Sequence, residues 1–290
     1  MSVITFWNNK NEETGKTMSL VAIATYMAIE HNTRTLVIST TNKEDKIKRC
    51  YWGEDEKKKK INLGIFGPNK NTLDVETGIK GLEKMIKSNK ITPNMITNYT
   101  KVIFKDRLEV LPGNEEKENA SEATKLENKK VQELYPDLIS LANQYYDRIL
   151  VDLDYNIEPQ IREKILKMSD VVVVNLSQRL SSIEKLKQEK ETNELLKSPR
   201  TLLLIGRYDR FSKYNSKNIS RYLKEKNRIL TIPYNTLFFE AAEEAGVPDL
   251  FLNFKRMRED EDRNNIFIQE VKRATENIIY RLQEIQANII

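Results

Sequence analysis

Cysteine and histidine are almost absent, with one of each in 290 residues. A lone Cys50 excludes an internal disulfide, and with a single His31 no Cys/His set is available for a zinc cluster. Cys50 reads as a free thiol, buried or half-buried, not as a nucleophile. A strong charge excess is also missing: 48 basic residues face 43 acidic ones, for a net charge of +5. That mildly basic balance permits DNA or an acidic partner without demanding either. No apolar run approaches the roughly 20 residues that a membrane-spanning helix needs. The first residues lack the basic segment and apolar run of a secretory signal. A cytoplasmic protein is expected from these absences. No internal repeat is present. What is there is a chain 39% hydrophobic, ample for a sizeable core.

Apolar runs alternate with amphipathic segments. The strand-like runs are Val3–Trp7, Thr35–Ser39, Ile61–Phe66, Leu108–Leu111, Arg148–Leu153, Val171–Leu176, Leu202–Gly206 and Ile229–Ile232. Several are continuous and not alternating, as suits strands buried on both faces of a parallel sheet. Helical spacing appears over Thr17–His31, Leu73–Ser88, Lys130–Tyr146, Ile157–Met168, Ser181–Leu196, Ser216–Lys226 and Leu237–Ala245. Strand and helix in alternation predict an α/β fold: a doubly wound, mostly parallel sheet with helices on both faces. Two polar stretches, Asn42–Lys60 with its Lys57-Lys58-Lys59-Lys60 run and Gly113–Lys129, read as surface loops. The main domain is expected over 1–260. The tail 261–290 reads as one helix whose apolar stripe (Phe267, Val271, Ala274, Ile278, Leu282, Ile285, Ile289) packs on the domain or a partner subunit. A membrane-surface helix is the alternative, against which the mixed charges of its polar face count.

The chemistry sits at the start. Ile4-Thr5-Phe6-Trp7 is a short strand, and the turn after it ends in Gly15-Lys16-Thr17 at the mouth of a helix. That order is the working end of a P-loop, whose backbone N–H groups converge on phosphate oxygens at a helix N-terminus. Lys16 supplies a cation for the phosphates and Thr17 a hydroxyl for Mg2+. Downstream, Ile149-Leu150-Val151-Asp152 is an apolar strand ending in a carboxylate. Asp152 reads either as the Walker B residue that holds Mg2+ through water or as a strand-terminating aspartate, and Asp154 can serve in its place.

In order and spacing these segments resemble the ParA/MinD family of deviant P-loop ATPases over roughly Ser2 to Leu252. Thr77–Leu82, Leu108–Gly113, Tyr146–Asp152, Ile205–Asp209 and Ile232–Asn235 carry the likeness beside the loop itself. The nearest likeness is to the pilus-localising TadZ/CpaE-type branch and the ParA-like proteins of mobile elements. The resemblance implies a P-loop NTPase fold, ATP and Mg2+ as cofactors, and a homodimer that positions a plasmid, conjugative apparatus or pilus/secretion machinery. It implies a cargo or machinery protein as partner, and attachment to DNA or a membrane. The implied nucleotide-binding residues are Lys10, Asn11, Glu13, Thr14, Gly15, Lys16, Thr17, Met18, Arg207, Pro233 and Tyr234. Thr17 and Asp152 are the implied metal residues.

The chain departs from that family in three places. The signature lysine of the family loop falls on Asn11, with Lys10 beside it, and two loop glycines fall on Glu12 and Glu13. A left-handed conformation at a non-glycine residue costs on the order of 1–2 kcal/mol. Each carboxylate near a polyphosphate adds repulsion on the order of 1 kcal/mol when solvated. The switch aspartate falls on Ser39, whose hydroxyl cannot act as a carboxylate base, so hydrolysis is expected to be weak or lost. The base-contacting asparagine falls on Gly206. Three readings stand: a nucleotide-binding positioning dimer, a scaffold that keeps the fold without binding nucleotide, and a metabolic P-loop enzyme. The last lacks any substrate-specific acid, base or redox group. The basic residues Lys213, Lys217, Arg221 and Lys224 fit either DNA contact or a solvated helix face.

Overall fold

The computed structural model describes residues 1–8, 12–41, 45–52, 78–88, 91–114, 121–256 and 263–288. Among them are eight strands: β1 (Ser2–Trp7), β2 (Thr35–Ser39), β3 (Lys101–Phe104), β4 (Leu108–Leu111), β5 (Arg148–Asp152), β6 (Val171–Leu176), β7 (Thr201–Tyr208) and β8 (Leu230–Pro233). They form one sheet in the order β3-β4-β2-β5-β1-β6-β7-β8. Every neighbouring pair is parallel except β3 with β4. The helices are α1 (Lys16–Glu30), α2 (Lys46–Tyr51), α3 (Ile79–Lys87), α4 (Glu122–Gln132), α5 (Tyr135–Ala142), α6 (Pro159–Met168), α7 (Leu180–Thr192), α8 (Glu194–Lys197), α9 (Ser216–Leu223), α10 (Thr236–Glu243), α11 (Val247–Arg256) and α12 (Arg263–Asn288).

This is the doubly wound, mostly parallel α/β fold that the alternation predicts. The continuous apolar strands explain its layering. Successive side chains of a strand point to opposite faces, so β6 sends Val171 and Val173 into one core and Val172 and Val174 into the other. Helices α3 to α9 close the first face, and α1, α2 and α10 to α12 close the second. The central strand β1 lies between β5 and β6, so its C-terminal end opens at the point where chain connections diverge to the two sides of the sheet. Ligands of open α/β sheets collect in that crevice.

The apolar stripe of α12 is buried from Phe267 through Val271, Ala274 and Ile278 to Leu282, Ile285 is half-buried against the same core, and Ile289 lies outside the described residues. Phe267 stacks within 5.0 Å of Phe238 and 6.2 Å of Phe251 and Phe254, ring centre to ring centre. The helix thereby covers β8 and α1.

Several local expectations differ from the structure. Asn42–Lys60 is not all loop, because Lys46–Tyr51 forms α2, which buries Ile47, Cys50 and Tyr51. The helix is capped by Asp45, whose carboxylate accepts the Ile47 N–H at 3.0 Å. Cys50 is buried, and burial pushes its thiol pKa up to about 12. The polar stretch Gly113–Lys129 includes the helix α4. The single helix expected over Lys130–Tyr146 is broken, and α5 restarts with Pro136 in its first turn, where a missing N–H costs nothing. Ser181–Leu196 is likewise split at Asn193, which caps α8 through the Leu195 N–H at 3.0 Å. The antiparallel edge strand β3 and the helix α11 are not among the expected elements, although Val247, Leu250, Phe251 and Phe254 stand at helical spacing in α11. The expected strand Ile61–Phe66, the lysine run 57–60 and the start of the Leu73–Ser88 helix lie outside the described residues.

Replacing Phe267 by Ala should lower the unfolding free energy by about 3–5 kcal/mol, the usual cost of deleting a fully buried aromatic ring. Urea denaturation measures this, and a loss below 1 kcal/mol would mean that α12 is not held on the sheet as described.

Candidate functional site

The turn from β1 into α1 builds the site. Gly15 takes the left-handed conformation, φ 73°, and is the N-cap of α1. Its carbonyl accepts the Ser19 N–H at 2.9 Å, the first bond of the helix. Helix α1 has no capping side chain and no acidic residue in its first turn. Its N-terminal dipole is therefore not offset by its own side chains, as an anion site requires.

Lys16 and Thr17 converge on one carboxylate. The Lys16 ammonium lies 2.6 Å from Asp152 Oδ1 and also donates to the Leu153 carbonyl. Thr17 Oγ1 donates to Asp152 Oδ2 at 2.8 Å. The parallel register of β1 with β5 brings these groups together, since it sets Phe6 opposite Asp152 at the strand ends. Asp154, the alternative metal residue, lines the same cleft and also closes its own turn by accepting the Asn156 N–H at 2.7 Å. Lys16, Thr17 and Asp152 line a cleft of about 200 Å³, joined by Asn8, Asp45 and Tyr155. A threonine hydroxyl beside a carboxylate offers hard oxygen donors suited to Mg2+ with phosphate oxygens completing its shell. Among the described residues no group of three His, Cys, Asp or Glu side chains forms a metal cluster without such help.

Both arguments against the loop change once its geometry is seen. Glu13 does not have a positive φ, so the left-handed strain expected there is not incurred. Both carboxylates also have partners. Glu12 Oε1 accepts from Ser177 Oγ at 3.2 Å and from Ser182 Oγ. Glu13 Oε2 accepts from Arg207 Nη1 at 3.0 Å. The hydrogen bond from Arg207 and its charge hold the Glu13 carboxyl below the usual glutamate range, with Lys46 and Arg179 adding to the effect.

The strand end of β7 presses against this loop. A Cβ on Gly206 would lie 2.5 Å from the Thr14 carbonyl oxygen and 3.1 Å from Gly15 Cα. No other residue fits there without moving the loop. Gly15, Met18, Arg207, Pro233 and Tyr234 come together around a smaller pocket of about 40 Å³ beside Phe238 and Phe239. Five of the sequence-predicted nucleotide residues thus share one pocket. Thr14 is buried in the turn below them. Lys10 and Asn11 lie outside the described residues.

Ser39 is placed differently. It is buried beneath Gly113, whose Cβ would come within 3.1 Å of the Ser39 hydroxyl, and it does not line the cleft. Its neighbour Thr40 is used structurally: its hydroxyl donates to the Asp152 carbonyl at 3.1 Å and accepts the Asp154 N–H at 2.8 Å. The carboxylate that does reach the cleft from this side is Asp45. It accepts the Gly113 N–H at 2.7 Å, and burial, with Asp152 nearby, pushes its pKa up. Asp45 was not marked in the sequence, because the short helix it caps falls in a stretch read as loop. For Ser177 and Ser182 there was no signal, because they meet Glu12 only across the fold.

No protein-family model and no curated protein matches the chain. Solved structures do. A ParA family ATPase from Chlorobium tepidum TLS superposes with a TM-score of 0.64 at 14% identity, covering 97% of this chain and 98% of that one. The septum site-determining protein MinD from Pyrococcus horikoshii OT3, in complex with Mg-ADP, gives 0.61 at 14% identity over 96% and 95%. A candidate plasmid partition protein from Borrelia burgdorferi B31, bound to AMPPNP, gives 0.60 at 18% identity over 100% and 99%. The fold is therefore that of the ParA/MinD ATPases along the whole chain.

Two outcomes test the loop's surroundings. Gly206→Ala should cost about 1–3 kcal/mol of stability, as overpacking does, measured by urea unfolding. An unchanged midpoint would contradict the close approach. NMR titration should find the Glu13 carboxyl below the ordinary glutamate value of about 4.3, and Arg207→Ala should return it there. The sign follows from linkage: a lowered folded-state pKa stabilises above the unfolded value, and that contribution disappears as pH falls through the lowered one.

Proposed function

We propose that this chain binds ATP with Mg2+ in the cleft between β1 and β5, and acts as a ParA/MinD-like positioning protein with weak or absent hydrolysis. The observation that carries the reading is the convergence of Lys16 and Thr17 on Asp152 at the N-terminus of α1. Lys16 would turn from Asp152 to the phosphates, Thr17 and Asp152 would hold Mg2+, and Met18, Arg207, Pro233 and Tyr234 would meet the base. Mg2+, when bound, neutralises phosphate charge. The nucleotides named for the Borrelia and Pyrococcus structures support the same ligand class. Hydrolysis is weak because no carboxylate ends β2, and Asp45 is committed to the Gly113 and Ile47 N–H groups.

The protein would work as a homodimer across this edge. Tyr234 and Phe239 support that reading, being exposed while they line the pocket beside Gly15 and Arg207. Its cargo would be a plasmid, a conjugative apparatus or TadZ/CpaE-type pilus machinery, with DNA contact through Lys213, Lys217, Arg221 and Lys224. The described helices include none long and apolar enough to cross a membrane, which fits a cytoplasmic role. A scaffold that binds no nucleotide is the second reading, favoured by the engagement of Lys16 with Asp152 and Leu153.

Calorimetry with ATP and ADP, with and without Mg2+, decides between them. We expect Mg2+-dependent binding that Lys16→Ala weakens at least tenfold. At a hundredfold excess over Kd, binding should stabilise the fold by about 2.7 kcal/mol. A melting temperature unmoved by millimolar ATP would select the scaffold.

A further inference from the structure

We propose that Glu12 and Glu13 are positioning residues that brace the phosphate loop from the side away from the phosphates. The inference rests on the nucleotide-binding reading above and reverses the role their charge suggests. Strand β1 has two neighbours in the sheet, β5 and β6. The cleft with Asp152 opens on the β5 side. Both glutamates are tied on the other side. Ser177 directly follows β6, Ser182 lies in the first turn of α7, and Arg207 lies near the end of β7.

The brace also meets a need of α7. That helix has no side-chain cap and no acidic residue in its own first turn. The Glu12 carboxylate at Ser182 supplies the negative charge that its N-terminus favours. On the β7 side Gly206 has no Cβ, which lets its backbone approach the Thr14 carbonyl and Gly15. Arg207, held at φ 52°, then reaches Glu13. The loop is fixed by side-chain contacts at two points, where glycines would leave it to be shaped by its ligand. A loop pre-formed in this way needs less ordering when it binds.

Repulsion and bracing predict opposite signs. If the carboxylates repel phosphate, Glu12→Gln and Glu12→Ala both tighten ATP binding. If Glu12 braces the loop, Glu12→Ala weakens ATP binding five- to tenfold. Glu12→Gln, which keeps an oxygen for both serines, stays within about twofold of the parent. The double variant Ser177→Ala/Ser182→Ala leaves the loop sequence intact and should weaken binding as Glu12→Ala does. Calorimetry on the full chain reads these values, and tightening or no change in Glu12→Ala overturns the proposal. Amide hydrogen exchange without nucleotide gives the second arm. The amides of Thr14 to Ser19 should exchange at least fivefold faster in Glu12→Ala and in the double serine variant, and unchanged rates overturn the brace. If the parent protein binds no ATP, the nucleotide reading fails while the exchange arm still decides the brace.

Discussion

The Asp152 carboxylate takes a lysine ammonium on one oxygen and a threonine hydroxyl on the other, and the site depends on that double contact. It ties the first turn of α1 to the end of β5, two elements more than a hundred residues apart in sequence. The sheet makes the contact possible. Parallel pairing of β1 with β5 sets Phe6 opposite Asp152, so the loop leaving β1 meets the carboxylate at the strand edge. The Asp152 carbonyl also accepts from the Thr40 N–H and Thr40 hydroxyl, so the end of β2 is joined to the same point. Buried charges persist where they are paired and hydrogen-bonded, and the Asp152 carboxylate meets both conditions through the first turn of α1.

Around that anchor the loop is held by its flanks. On one side lie Lys16, Thr17 and the phosphate-sized cleft. On the other, Glu12 reaches Ser177 and Ser182, Glu13 reaches Arg207, and Gly206 lets β7 approach the turn. The usual glycine logic asks for positive φ and close backbone approach. Of Glu13, Thr14 and Gly15, only Gly15 has a positive φ, and the close approach is provided by Gly206 on a neighbouring strand. Part of the requirement for a small residue has moved from the loop to its neighbour.

The switch side shows the opposite trend. Ser39 is buried under Gly113, Thr40 is spent on backbone groups, and Asp45 caps α2 while clamping Gly113. Thr40 and Asp45 are employed in holding strand ends and α2 together, and the Ser39 hydroxyl is buried away from the cleft. The α1 side of the cleft keeps a cation, a hydroxyl and a helix N-terminus, and the residues at the end of β2 hold backbone groups.

Much of the architecture was legible in the residues. Continuous apolar runs such as Val171–Leu176 suit burial on both faces, and the run Gly15-Lys16-Thr17 followed much later by a strand ending in Asp152 pointed to a nucleotide as the candidate ligand. Patterns of that kind are local, or depend only on order along the chain. Helix breaks at Pro136 and Asn193, and the short α2, were less legible because four to six residues carry little periodicity. The charge of Glu12 and Glu13 was visible, but its consequence was not. Whether a carboxylate repels a phosphate or braces a loop depends on what lies beside it, and Ser177, Ser182 and Arg207 come there through sheet pairing alone. Composition and order along the chain determined the fold class and the candidate ligand. The tertiary structure decided where each charge points, because electrostatic effects depend on distances that sequence separation does not set.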